Sequence, residues 1–273
     1  MEHDDAARGR IVNRREALAL LGAAGAVVWA RPWTAAAAFL AKSAPADSRA
    51  RRDPLTNGCV VRPEQTAGPY FVDEELDRND IRSDPSDGSM KPGAQLQLQF
   101  NVTRLANSTC IPVAGALVDL WHCDALGVYS DVQDPRFDTR GKKFLRGYQV
   151  TDASGIARFT TIYPGWYPGR TVHMHFKVRS APASVPGFEF TSQLYFDDAL
   201  TDQVHAQQPY AAKGQRTLRN SGDGIYSQGG SQLLLAPTPD AAGYTATFDI
   251  ALDLPTAVRP GSWSGVKEEF RSE

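Results

Sequence analysis

Several things are scarce in this 273-residue chain, and each scarcity removes a class of protein. Past the N-terminal region no apolar run approaches the ~20 residues that a membrane-spanning helix needs, so the mature chain is expected to be soluble. There is no long basic run and the net charge is −2, which leaves nothing to favour nucleic acid as a partner. Three cysteines, Cys59, Cys110 and Cys123, allow one disulfide and leave one thiol over, and their spacing does not choose among the three pairings. Long helical patterns are missing too: 23 glycines and 18 prolines point to many turns. No internal repeat is visible.

What is present begins with an address. Asn13-Arg14-Arg15-Glu16-Ala17-Leu18 precedes an apolar stretch, Ala19 to Ala30, and the small-residue run Ala35 to Ala38. Together they predict a twin-arginine signal peptide over residues 1–38, cleaved near Ala37 or Ala38, and a periplasmic or extracellular location; retention as an anchor stays open. That route carries folded proteins, which suits one that acquires a cofactor inside the cell, and it ends in a compartment where a disulfide persists. Residues 39–57, rich in Ala, Ser, Arg, Asp and Pro, are expected to be a linker, residues 58–254 one folded domain and residues 255–273 a loose tail.

Within the domain, Cys59 to Val72 predicts an irregular strap over a core, and Gln95 to Phe100 alternates strictly enough for a half-buried strand. Further strands are expected at Ala116–His122, around Tyr148–Val150, at Arg158–Ile162, Thr171–Val178, Ser192–Phe196, Ser231–Leu235 and Tyr244–Leu254, with a helical turn within Val204–Lys213. The expected fold is all-β: a β-sandwich of about eight mainly antiparallel strands with long connecting loops.

One stretch concentrates chemistry. Tyr163 to Val178 holds two of the five histidines, two tyrosines and an arginine. His173 and His175 are two apart in a β-prone run, so both imidazoles leave one face of a strand, a geometry that suits one metal ion as well as simple solvation. The turn-rich Tyr163-Pro164-Gly165-Trp166-Tyr167-Pro168-Gly169 lets Tyr167 fold back toward that face. A second source of ligands lies in Val118 to Ser130, a strand, an Asp/Gly turn and then Tyr129.

At these residues the sequence resembles the intradiol ring-cleavage dioxygenases, the family of catechol and protocatechuate 3,4-dioxygenases. The pattern W-x-x-D/N-x-x-G-x-Y-S falls on Trp121, Asp124, Gly127, Tyr129 and Ser130, and R-x-x-H-x-H on Arg170, His173 and His175. Pro63 to Thr66, Gly68-Pro69-Tyr70, Leu145-Arg146-Gly147, Phe159 to Ile162 and Gln193 to Phe196 extend the likeness from about Cys59 to Tyr226. The resemblance implies a mononuclear, non-haem Fe(III) held by Tyr129, Tyr167, His173 and His175. It implies an enzyme that cleaves a small aromatic diol with O₂ between the hydroxyl-bearing carbons, giving a cis,cis-muconate-type product. Tyr167 would leave the metal and act as base, Arg170 would stabilise developing negative charge, and Gln193, Thr66 and Gly68 would shape the substrate pocket. Tyr163 would either line that pocket or pack. The short spacing from Tyr167 to Arg170 resembles a secreted branch, in which cysteines like Cys59 and Cys110 pair and Cys123 stays free; Ala67 stands where that branch has glutamate.

Two other readings compete. One is a non-catalytic, transthyretin-like β-sandwich that binds a polymer on Trp121, Trp166 and its tyrosines. The other is an exported copper or zinc protein using His122, His173 and His175. The substrate beyond a vicinal ring diol is left open, and so is a homodimer.

Overall fold

Alternation in Gln95-Leu96-Gln97-Leu98-Gln99-Phe100 demands a strand with one wet and one dry face. The chain forms it as β1 (Gln95–Ala106), which runs six residues beyond the expected stretch and buries Leu96, Leu98, Phe100 and Val102. The structure, a computed structural model, describes residues 59–181 and 187–254; the expected signal peptide, the linker and the C-terminal tail lie outside the described residues. After β1 come β2 (Thr109–Pro112), β3 (Leu117–Trp121), the short pair β4 (Gln133–Asp134) and β5 (Phe137–Asp138), β6 (Arg146–Val150), β7 (Ile156–Ile162), β8 (His173–Arg179) and β9 (Glu189–Phe196). The helix α1 (Asp198–His205) follows, then β10 (Leu234–Leu235), β11 (Thr238–Pro239) and β12 (Gly243–Leu252).

Two five-stranded sheets result. In one, β1 is the hub, flanked by β12 and β7, with β2 and β11 outside; in the other the order is β10-β9-β8-β3-β6. Their inner faces share a core in which the Phe100 ring lies 5.3 Å from Phe176 of the opposite sheet and 5.9 Å from Phe248. The fold is thus all-β, with mixed sheets. β1 and β12 run parallel from Gln95↔Gly243 to Arg104↔Leu252, and β9 pairs with β10 in parallel as well. Local alternation cannot tell parallel from antiparallel partners, because both present the same period of two.

Two expected elements differ. Most of Ser231–Leu235 is a 3₁₀ turn, Gly230–Leu233, with only two residues of strand after it. The expected helical turn in 204–213 is divided between the end of α1 and a 3₁₀ turn at Tyr210–Lys213. The helix starts earlier because Asp197 caps it, its carboxylate accepting from the Ala199 and Leu200 N–H groups.

The strap lies over the second sheet: Gln65 N–H donates to Thr191 O at 2.9 Å, and Ser192 Oγ donates to Pro63 O at 2.8 Å. A Cys59–Cys110 disulfide, Cα atoms 5.4 Å apart, ties the start of the strap to β2, while Cys123 is a buried free thiol.

Candidate active site

β8 is the centre strand of its sheet, so its two faces divide cleanly. Met174, Phe176 and Val178 enter the core, whereas His173 and His175 rise from the other face beneath the strap. Register supplies their neighbours: Trp121 and Gln193 flank His175, and Tyr195 flanks His173. The Trp121 indole stacks on the His175 ring, centroids 5.1 Å apart and planes 8° from parallel. His173 Nδ1–H donates to Thr171 O at 2.7 Å, which fixes the tautomer and makes Nε2 the acceptor nitrogen. Both histidines are about 1% exposed.

Tyr129 arrives on a loop built for tightness. Asp124 Oδ1 accepts from the Leu126 and Val128 N–H groups, both at 3.0 Å, and Gly127 takes φ +78° where a Cβ would stand 2.1 Å from Trp166 O. Asp and Gly at that spacing are therefore required to turn the chain so that the Tyr129 ring re-enters over the histidines. Ser130 and Arg146 brace the far side: Arg146 donates to Ser130 Oγ (2.8 Å), Ser130 O (2.6 Å) and Tyr70 O (2.6 Å). Burial of Arg146 lowers its pKa to about 10, leaving it charged at neutral pH.

Four donor atoms then converge. Tyr167 donates its hydroxyl to His173 Nε2 at 3.1 Å, His175 Nε2 stands 3.1 Å from the same nitrogen, and Tyr129 packs edge-on to Tyr167 with centroids 5.8 Å apart. The Tyr129 hydroxyl is buried facing that of Tyr167, yet makes no hydrogen bond of normal geometry. Burial, then the neighbouring Tyr167, pushes the Tyr129 phenol well above its usual pKa, and burial raises Tyr167 in the same way. Burial and then the Arg170 charge bring His173 down to about 3, and burial, then the neighbouring His173, hold His175 well below the usual imidazole range. All four groups are therefore neutral near pH 7. Two lone-pair imidazoles and two phenols that can ionise make a donor set suited to a hard, highly charged cation. Among the described residues no group of three or more His, Cys, Asp or Glu could hold a metal, so tyrosine oxygen is what makes this cluster a candidate.

Arg170 lies beside the cluster. Its Nη1 is 3.4 Å from His173 Nε2, its Nη2 donates to Gln193 Oε1 at 2.6 Å, and its Nε donates to Asp223 Oδ2 at 2.8 Å. Gln193 in turn donates to Thr66 O at 2.8 Å, and Tyr195 donates to Gln65 Oε1 at 2.7 Å, which locks the strap onto the site. Gly68, at φ +66°, passes so near His175 that a Cβ would lie 3.2 Å from Cε1. Asp223, Tyr195, Trp121 and Arg146 are site neighbours whose contacts sequence patterning missed. Trp121, Arg146 and Tyr195 fall in quoted motifs, whereas Asp223 falls in none and is 53 residues from its partner.

Other candidates fall elsewhere. Tyr163 points away from the cluster: its hydroxyl is hydrogen-bonded to Thr201 Oγ1 at 2.8 Å and its ring packs on Phe196 at 4.4 Å, so it is a core residue. Strand periodicity does not carry from one tyrosine to the other, because β7 ends at Ile162 and residues 163–167 are irregular. His122 is engaged on both nitrogens, with Cys123 O at 2.8 Å and Thr161 Oγ1 at 2.6 Å, which removes it from any three-histidine site. Trp121 and Trp166 are buried, the latter beneath Lys213, and neither offers a free stacking platform.

Fold and site together define a β-sandwich protein with a nitrogen and phenol-oxygen donor set on one sheet face and a guanidinium directed at it. A family model described as Dioxygenase matches residues 66–253, and the chain belongs to the intradiol ring-cleavage dioxygenases, a family of oxidoreductases. It is 31% identical over 167 residues to the protocatechuate 3,4-dioxygenase beta chain of Burkholderia cepacia, spanning 57% of this chain and 69% of that one. Against chlorocatechol 1,2-dioxygenase of Pseudomonas putida the identity is 33% over 104 residues, with 31% of this chain and 36% of that one spanned. The structure of an intradiol ring-cleavage dioxygenase from Tetranychus urticae matches with a TM-score of 0.61 at 28% identity, covering 71% of this chain and 95% of that one. A dioxygenase domain from Streptomyces sp. SirexAA-E, part of a fusion with a carbohydrate-binding protein, matches at 30% identity and a TM-score of 0.50, covering 71% and 99%.

Proposed function

We propose that this dioxygenase uses one Fe(III) to cleave a catechol-type ring between its hydroxyl-bearing carbons, consuming O₂ and releasing a cis,cis-muconate-type acid. The observation that carries the reading is the convergence of the Tyr167 hydroxyl and His175 Nε2 on His173 Nε2, each at 3.1 Å, beside the unpaired, buried hydroxyl of Tyr129. An orphaned buried hydroxyl costs about 1–3 kcal/mol, a cost that ligation would offset. Tyr129, Tyr167, His173 and His175 are the ligands in this reading, and a ferric ion bound by them would act as Lewis acid and template toward a catecholate.

The two tyrosines divide the work by exposure. Tyr129 is almost fully buried, whereas Tyr167 is half-buried and nearer the solvent, so Tyr129 would be the fixed ligand and Tyr167 the one able to yield its place to substrate. The Tyr167 phenolate oxygen would serve as the base for an incoming diol hydroxyl. Trp121 and Thr171 hold the two imidazole planes still. Arg170 presents Nη1 to the substrate oxygens and stabilises negative charge there, and Gln193 keeps the guanidinium and the strap in register. The aromatic diol and O₂ are the partners this chemistry needs, and export by the twin-arginine route after folding would deliver the loaded enzyme.

Iron-loaded protein is tested by visible spectroscopy and by oxygen uptake on a panel of substituted catechols. Burgundy colour from tyrosinate-to-iron charge transfer and muconate-type products are the expected results. Full iron occupancy without colour, or semialdehyde products from cleavage beside the diol, would refute the proposal.

A further inference from the structure

Asp223 carries no motif, yet its contacts are those of a working part. Its carboxylate is 1% exposed and fully engaged. Oδ2 accepts from Arg170 Nε and from the Thr171 N–H, both at 2.8 Å, while Oδ1 accepts from the Ile225 and Tyr226 N–H groups, also at 2.8 Å. The 3₁₀ turn just before it, Asn220–Gly222, is tied to the same place: Thr171 Oγ1 donates to Asn220 Oδ1 at 2.7 Å, and Asn220 Nδ2 donates to Phe196 O at 2.8 Å. The 220–226 segment is thus joined to the residues that lead into the ligand strand.

A guanidinium is planar with donors in fixed directions, so fixing two of its nitrogens fixes the third. Asp223 takes Nε–H, and Gln193 Oε1 takes Nη2 at 2.6 Å with the Tyr195 oxygen 3.4 Å away. The arm left over is Nη1, 3.4 Å from His173 Nε2 and directed at the converging donors. Gln193 alone would let the group swing about the Nη2 contact. We propose that Asp223 is a positioning residue for ring cleavage, clamping Arg170 through Nε so that Nη1 faces the substrate oxygens. The inference rests on the role of Arg170 proposed above.

The test is a double-mutant cycle on iron-loaded protein, with kcat and KM for catechol expressed per bound iron and the charge-transfer band recorded for each variant. Arg170→Ala and Asp223→Asn are each expected to lower kcat/KM about 100-fold, in the range for loss of one oriented donor, while the band is retained. The double variant is expected to fall within about twofold of Arg170→Ala, because Asp223 acts through Arg170. Arg170→Lys, which keeps the charge but has no Nε–H in that position, is expected to lose nearly as much as Arg170→Ala, and it serves the test if Asp223→Asn does not fold. A readout free of activity is the Arg170 Nε–H resonance in ¹⁵N-labelled protein, slow to exchange in the parent and fast in Asp223→Asn. Multiplying losses in the double variant, or an Arg170→Lys variant with near-parent kcat, would overturn the positioning role. An Arg170→Ala variant with parent kcat/KM and intact colour would instead overturn the reading of Arg170 itself, and the Nε–H signal would still report on the clamp.

Discussion

Tyr129→Phe should change the stability of the metal-free and the iron-loaded protein in opposite directions. In the metal-free state the Tyr129 hydroxyl is buried without a normal hydrogen bond, a condition that costs about 1–3 kcal/mol. Phenylalanine removes that hydroxyl and keeps the ring contacts to Tyr70 at 4.6 Å and Tyr167 at 5.8 Å, so little packing is lost. The metal-free variant is expected to gain about 1 kcal/mol, which raises Tm by about 2–4 °C for a domain of this size. The iron-loaded form loses an anionic ligand. If affinity falls by about 100-fold, the stabilisation from bound iron shrinks by about 2.7 kcal/mol at saturating metal. Thermal melts of metal-free and iron-loaded parent and variant, with absorbance in the visible, give both numbers in one series. A metal-free variant that melts several degrees lower, together with undiminished stabilisation by iron, would mean that Tyr129 is an ordinary packed side chain.

Acid should destabilise the metal-free protein well above the carboxylate range. Burial lowers His122 to about 4 and His173 to about 3 and holds His175 well below the usual range, whereas unfolded histidine titrates near 6.5. The unfolded chain then binds more protons between these values, so stability is complete above about pH 6.5 and falls on acidification at up to about 4 kcal/mol per pH unit for three groups. Urea titrations at about pH 7 and about pH 5.5 measure the slope, and a flat profile would contradict the neutral buried histidines. Gly127→Ala should cost about 3 kcal/mol or more, since a Cβ would both take a left-handed φ and meet Trp166 O at 2.1 Å. Gly169→Ala, at φ +89° with nothing within 4 Å, should cost only about 1–2 kcal/mol, and equal urea midpoints for the two variants would refute the steric account.

Much of this was legible because the relevant physics is local. Period two put His173 and His175 on one face, and the Asp124/Gly127 spacing marked the turn that carries Tyr129. Tyr163 shows where local reasoning stops: it is four residues from Tyr167 and of the same type, yet it bonds Thr201 on the other side of the sheet. Asp197 is a local cap signal, and α1 accordingly begins just after it, before the expected turn.

By itself the sequence determined the β-rich architecture and the motif residues, because alternation, turn chemistry and short-range spacing act within a few residues of each other. Only the tertiary structure decided that β1 and β12 run parallel, that Trp121 lies against His175, and that Asp223 reaches across 53 positions to hold Arg170. Those relations are set by strand register and by loops crossing the sheet face. Partners so distant in sequence meet only after the two sheets have closed on their shared core.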